Sequence, residues 1–178
     1  MRILFLGILF SALTACTNPS EFFSMVETAP FWKANSPVSF EIAVNDVNQA
    51  YNIYCDIRYS ADYNWSRFFT LYQVKDSVGR SLDSLLLEYY LFDPVTGKPL
   101  GSSGIGDLYE KEFLIRKEFR FPFRGKFQFT LNQMMRVDSL EGIRSAGIRM
   151  ERQPNQAASN SNNKWIKNLG SAEFVFLP

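Results

Sequence analysis

The residue with the most legible chemistry is Cys16. It closes the run Leu13-Thr14-Ala15-Cys16, an aliphatic residue, two small residues and a thiol. Met1-Arg2 supplies a positive start and Ile3 to Leu13 an apolar stretch, too short to cross a bilayer, which takes about 20 apolar residues. This is the pattern of a bacterial lipoprotein signal. The small residues fit a peptidase cleft, the Cys16 thiol takes a diacylglyceryl group, and residues 1–15 are removed. Each buried acyl CH₂ contributes about 0.8 kcal/mol, so two or three chains hold a domain on a membrane durably. With Cys16 acylated, Cys55 has no partner, and the exported domain is expected to lack an internal disulfide.

Other groups offer less. The chain has no histidine, which excludes Ser-His-Asp and Cys-His nucleophile pairs and His-containing zinc sites. Loss of Arg2 with the signal leaves 18 basic against 18 acidic side chains, so no field exists to hold nucleic acid. The glycine-rich stretch Asp93 to Asp107 has neither P-loop nor dinucleotide spacing, and no helix follows it. It is expected to be a long connection. Asp93, Asp107, Glu110 and Glu112 cluster in sequence and are candidates for the paired carboxylates of a glycosidase, although closeness in sequence is not the facing geometry that mechanism needs. Asp107, Glu110 and Glu112 are candidate Ca²⁺ ligands, against the simpler reading of a solvated loop edge. No catalytic residue, cofactor or metal is assigned. Ser77, Ser84 and Ser139 each follow an aspartate and precede an apolar residue, a pattern of O-glycosylation on exported proteins; ordinary turn and capping chemistry explains the same pairs. Tyr63, Trp65, Tyr90 and Trp165 are candidate surfaces for a ligand or partner, since aromatic rings on a sheet face stack on sugars.

These side chains must be positioned by strands. Hydrophobic residues make up 46% of the chain and charged ones 21%, enough for a real core, and the 17 phenylalanines are its natural filling. Period-2 alternation dominates. Val38, Phe40, Ile42 and Val44 share one face, as do Tyr51, Ile53, Cys55, Ile57 and Tyr59, which puts Cys55 inside. Arg67 to Val74 is apolar on both sides, the mark of a central strand. Leu85, Leu87, Tyr89 and Leu91 form another face, and Phe113 to Phe123 the longest alternating run. Phe127, Phe129 and Leu131 follow a tight hairpin at Gly125-Lys126. Ala146, Ile148 and Met150 make a further strand, and Phe174 with Phe176 a last one. Only Asn132 to Gly142 breaks the rhythm, where one helical turn is expected, capped by Asp138 with Glu141 three residues on.

About eight short strands with one apolar face each imply an all-β fold, a single antiparallel β-sandwich of immunoglobulin-like or jelly-roll-like kind. The expected division is a signal at 1–15, a lipidated cysteine and tether at 16–36, and the sandwich at 37–178. Phe22, Phe23, Phe31 and Trp32 are too much aromatic surface for a free linker, so part of the tether is expected to pack back. Gln153 to Asn163 is an Asn/Ser/Ala stretch without apolar anchors.

Several short motifs keep a distinctive order: Trp32, Tyr51-Asn52-Ile53 with Arg58, Leu100-Gly101, Gly104-Ile105-Gly106-Asp107, Phe121 and Gly125-Lys126-Phe127. Gln133-Met134-Met135-Arg136, Leu140-Glu141-Gly142-Ile143 and Gly147-Ile148-Arg149-Met150-Glu151 follow. In this order and spacing the chain resembles the gliding motility lipoprotein GldH family of Bacteroidota over roughly residues 32 to 151. The resemblance implies a non-catalytic accessory or structural lipoprotein of gliding motility, tied to type IX protein secretion, with protein components of that apparatus as partners. Thr17 to Glu21 lacks the acidic run that marks surface-exported lipoproteins of that group, so the domain is expected on the outer membrane, facing the periplasm. The alternative is an envelope lipoprotein that binds glycans.

Replacing the acylated thiol should remove the anchor. Cys16→Ser is expected to move the domain from the membrane pellet to the soluble fraction on ultracentrifugation; a variant that still sediments with membranes would contradict the lipidation.

Overall fold

A strand that alternates apolar and polar residues needs one dry face and one wet face, and two such sheets laid face to face satisfy every strand at once. The computed structural model, which describes residues 20–154, has this architecture. A five-stranded antiparallel sheet runs in the order β1 (Ser20–Glu27), β11 (Ile143–Arg152), β4 (Tyr51–Ser60), β8 (Leu108–Phe119) and β7 (Ser102–Ser103). The opposing sheet runs β3 (Val38–Val44), β9 (Gly125–Gln133), β5 (Arg67–Asp76) and β6 (Ser81–Tyr90). A two-stranded ribbon of β2 (Trp32–Lys33) and β10 (Ser139–Leu140) closes one end. The all-β sandwich read from the alternation is therefore the fold.

The expected inward faces are the observed ones. Val38, Phe40, Ile42 and Val44 are buried on β3, and Tyr51, Ile53, Cys55, Ile57 and Tyr59 on β4. Phe68, Tyr72 and Val74 meet Phe127, Phe129 and Leu131 in the layer between the sheets. Each such side chain contributes about 1.5–3 kcal/mol by leaving water. Burial pushes the Cys55 thiol far up, so it stays protonated and behaves as a small hydrophobe. The open flank between β6 and β8 is sealed by two contacts. Tyr89 stacks on Phe113 with ring centroids 3.7 Å apart, and Arg116 donates two hydrogen bonds to Asp83, at 2.8 and 2.6 Å.

Three local expectations are corrected. No helical turn forms between Asn132 and Gly142; instead Ser139 and Leu140 pair with Lys33 and Trp32, and the Gln133 side chain holds the loop by donating to Val137 O and accepting from Met135 N. Two-residue strands carry no readable period, so the irregular spacing looked helical. The Phe113–Phe123 run is broken, because β8 stops at Phe119 after a positive-φ Glu118 and the chain turns through 120–124, before Gly125-Lys126 rather than at it. The tether does pack back, as its aromatic residues implied, but as strand from residue 20 onward instead of as a linker: β1 pairs with β11, and Trp32 is a buried plug whose indole donates to Ser36 O. The expected strand at Phe174 and Phe176 lies outside the described residues.

Gly142 sits at φ +81° with a built Cβ only 2.6 Å from Tyr63 Cα, whereas Gly79, at φ +83°, faces open space. Both positions carry the left-handed penalty, and only Gly142 adds a clash with backbone. Gly142→Ala is expected to cost about 2–4 kcal/mol and Gly79→Ala about 1 kcal/mol. Urea unfolding of the two variants measures the difference; equal losses would mean that the approach of Tyr63 does not constrain the turn.

Candidate functional site

The outward faces of the two sheets differ in chemistry. On the five-stranded sheet, outward positions of β4, β8 and β11 are charged and mutually paired. Arg149 is only 14% exposed and lies between Asp56, Glu112 and Glu151, with its guanidinium carbon 4.3 Å from the Tyr54 ring centroid. Antiparallel register puts these groups side by side: Arg149 faces Tyr54, and Asp56 faces Glu112. Burial lifts the Asp56 carboxyl above its ordinary value despite the adjoining Arg149 charge. Arg58 engages Glu110 on the same face. A shallow depression of about 300 Å³ lies here, lined by Phe23, Met25, Glu112 and Arg149 among others. Glu110 and Glu112 are thus each held by an arginine. Among the described residues no group of three or more acidic, His or Cys side chains is placed to hold a metal ion.

The four-stranded sheet also pairs charges on its outer face, Arg67 with Glu88 and Lys126 with Glu41, but it exposes apolar side chains beside them. Trp65, Phe69, Leu86, Met134, Met135 and Arg136 line a depression of about 470 Å³ on its outer face. Leu86 is 63% exposed, Met134 45% and Trp65 37%, and Leu71 pairs with Leu86 beside them. These apolar side chains adjoin one another on the outer face. The double-sided hydrophobicity of Arg67 to Val74 was its signal in the sequence. β5 is central, between β9 and β6, but its second apolar face is open to solvent rather than covered.

The aromatic candidates part company. Trp65 contributes to the depression, and Tyr90 lies on β6 with the Arg67 guanidinium carbon 5.2 Å from its ring centroid. Tyr63 is core: it is buried, packs edge-on against Trp65 at 5.4 Å and donates to Arg67 O. Trp165 lies outside the described residues. Ser77, Ser84 and Ser139 are all exposed. Their aspartates do structural work at two of the three: Asp76 accepts from Val78 N and Arg80 N in the β5–β6 turn, and Asp83 is the Arg116 partner. The glycine-rich stretch is a built connection. Asp93 accepts from Val95 N and Thr96 N, Leu100 N donates to Leu91 O, and Gly101 N donates to the Tyr59 hydroxyl.

The family model of the GldH lipoprotein matches residues 22–150. The chain belongs to the GldH lipoprotein family. A gliding motility lipoprotein GldH homolog of Christiangramia forsetii is 30% identical over 159 residues, 85% of this chain and 94% of that one. The gliding motility lipoprotein GldH of Flavobacterium johnsoniae is 28% identical over 162 residues, 85% of this chain and 98% of that one. Among solved structures, dimeric latent PorU from Porphyromonas gingivalis shares 7% identity at a TM-score of 0.34, over 74% of this chain and 12% of the PorU chain. The GldH match covers all of the sandwich apart from its outermost residues, including β1, so the segment ahead of residue 37 that forms β1 and β2 belongs to the family's shared region. As a member of a lipoprotein family, the protein is associated with the cell envelope.

Removing the one cation from the Arg149 cluster leaves three crowded carboxylates. Arg149→Met is expected to cost about 2 kcal/mol at neutral pH. In that variant the folded state holds protons more tightly than the unfolded chain, so the deficit should shrink as pH falls through the carboxylate range. Denaturant midpoints at neutral and mildly acidic pH test this; a deficit that stays constant would show that the cluster is not electrostatically coupled.

Proposed function

We propose that this GldH-family lipoprotein is a non-catalytic accessory and structural component of the gliding motility and type IX secretion machinery, acylated at Cys16 and held on the outer membrane with its domain in the periplasm. The observation that carries the reading is the open apolar depression of Trp65, Phe69, Leu86 and Met134. A monomeric exported domain gains nothing from leaving tryptophan, leucine and methionine together in water, whereas a protein partner buries them. The charged face across the sandwich is internally neutralised and suits solvent. Acyl anchoring raises the local concentration at which the depression meets membrane-bound partners.

Binding of glycans has less support, because Tyr63 belongs to the core and only Trp65 and Tyr90 of the described aromatic candidates present themselves outside. A protein component of the motility or secretion apparatus is the occupant that fits.

Leu86→Glu and Met134→Glu place charge in the depression without touching the core. Each is expected to leave thermal stability within about 0.5 kcal/mol of wild type and to abolish co-purification of motility or secretion components from detergent-solubilised membranes of the native host. Retention of those components by the double variant would overturn the assignment of this face. Glycan-array binding lost on Trp65→Ala would favour the sugar reading instead.

A further inference from the structure

One pole of the sandwich gathers the ends that matter for anchoring. β1 begins there, with Ser20 opposite Glu151, and β11 ends there at Arg152, which is ion-paired to Glu21 at 2.7 Å. Three turns converge on the same pole: residues 45–50 after β3, 77–80 after β5 and 120–124 after β8. Contacts join them. The Arg120 guanidinium donates to Asn48 O, Gln49 Nε2 donates to Gln153 O at 2.8 Å, and the Arg80 guanidinium carbon lies 5.9 Å from the Phe123 ring centroid.

We propose that this pole is a membrane-contact surface, which seats Val78 and Phe123 among anionic phospholipid headgroups with Arg80, Arg120 and Arg124 around them. The inference rests on the reading of Cys16 as the acylated residue. Covalent geometry then leaves little choice of distance, because four residues from Cys16 to Ser20 span at most about 14 Å when fully extended. An anchor at Cys16 holds this pole within reach of the headgroup layer and turns the Trp65 depression, at the other end of β5, away from it. The chemistry of the pole fits that position. Val78 is 74% exposed and Phe123 37%. Arginine over an aromatic ring is an arrangement that keeps its apolar part down and its charge at the headgroups.

Charge also distinguishes the two poles. The three near turns carry three arginines, Arg80, Arg120 and Arg124, against one acidic residue, Asp46. At the far pole, residues 28–37, 61–66, 91–107 and 134–142 carry Lys33, Lys98 and Arg136 against five acidic residues, Asp62, Asp93, Asp107, Asp138 and Glu141. An anionic leaflet attracts the first end and repels the second, which orients the anchored domain instead of letting it swing. Arg80 is bound to Asp76 yet its side chain remains 71% exposed, and Arg124 makes no ion pair among the described residues.

The test uses the mature acylated protein reconstituted in phosphatidylcholine vesicles with or without phosphatidylglycerol. A polarity-sensitive fluorophore is placed at Val78→Cys, or at Val95→Cys on the far pole, where the native side chain is 90% exposed. Doxyl-labelled lipid then reports proximity to the headgroups. Expected are strong quenching at position 78 with phosphatidylglycerol present, its loss in the Arg120→Gln/Arg124→Gln background, and no quenching at position 95. Equal quenching at both positions, or none at position 78, overturns the proposal. Intact-mass measurement of the reconstituted protein reads the anchor separately. Absence of a diacylglyceryl adduct on Cys16 defeats the lipidation reading and this proposal with it, whereas an acylated protein with an unquenched position 78 defeats the proposal alone.

Discussion

Pairing of β1 with β11 is the constraint on which the arrangement depends. β1 reaches along β11 from Ser20 opposite Glu151 to Glu27 opposite Ser145, and so covers an edge that would otherwise expose unpaired backbone. It also fixes where the upstream chain leaves the domain. The direction of that exit decides which pole of the molecule the upstream chain adjoins. One pole collects the arginine-bearing turns, the other collects the acidic connections and Trp32, and the apolar depression lies towards the second. Had β1 entered from the opposite end, the upstream chain would leave beside the Trp65 depression instead.

The two outer faces show how differently a sheet can treat solvent. On the five-stranded sheet, antiparallel register places opposite charges across neighbouring strands, where each pair contributes modestly and the cluster around Arg149 acts as a unit. On the four-stranded sheet, the Arg67–Glu88 and Lys126–Glu41 pairs share the outer face with Phe69, Leu71 and Leu86. Solubility of the isolated domain argues for the first pattern. The second leaves apolar side chains in water, where the partner proposed above would bury them.

Legibility in the sequence tracked period and length. β3, β4 and β6 were readable because each presents several apolar residues at even spacing over one face, and Cys55 took its correct place with them. β1 was not, because Phe22 and Phe23 are adjacent and only Phe22 turns inward, the other being 58% exposed. β2 and β10 are two residues each, and no period exists in two residues. Tyr63 reads as a surface aromatic because it sits in a polar connection, Ala61 to Ser66; Gly142, whose close approach encloses it, lies 79 residues further along the chain. The Arg149 cluster likewise joins groups 93 and 37 residues apart, Asp56 and Glu112, a proximity that only strand register creates.

The direction in which β1 enters has a mechanical consequence. A pull on the chain upstream of Ser20, resisted at the far pole, runs along the axis of β1, while its hydrogen bonds to β11 stand across that axis. Such a load strains the whole row of bonds in shear, all together, rather than peeling them one at a time from an end. Traction transmitted through this domain therefore meets its stiffest direction, and detachment of the first strand demands simultaneous rupture.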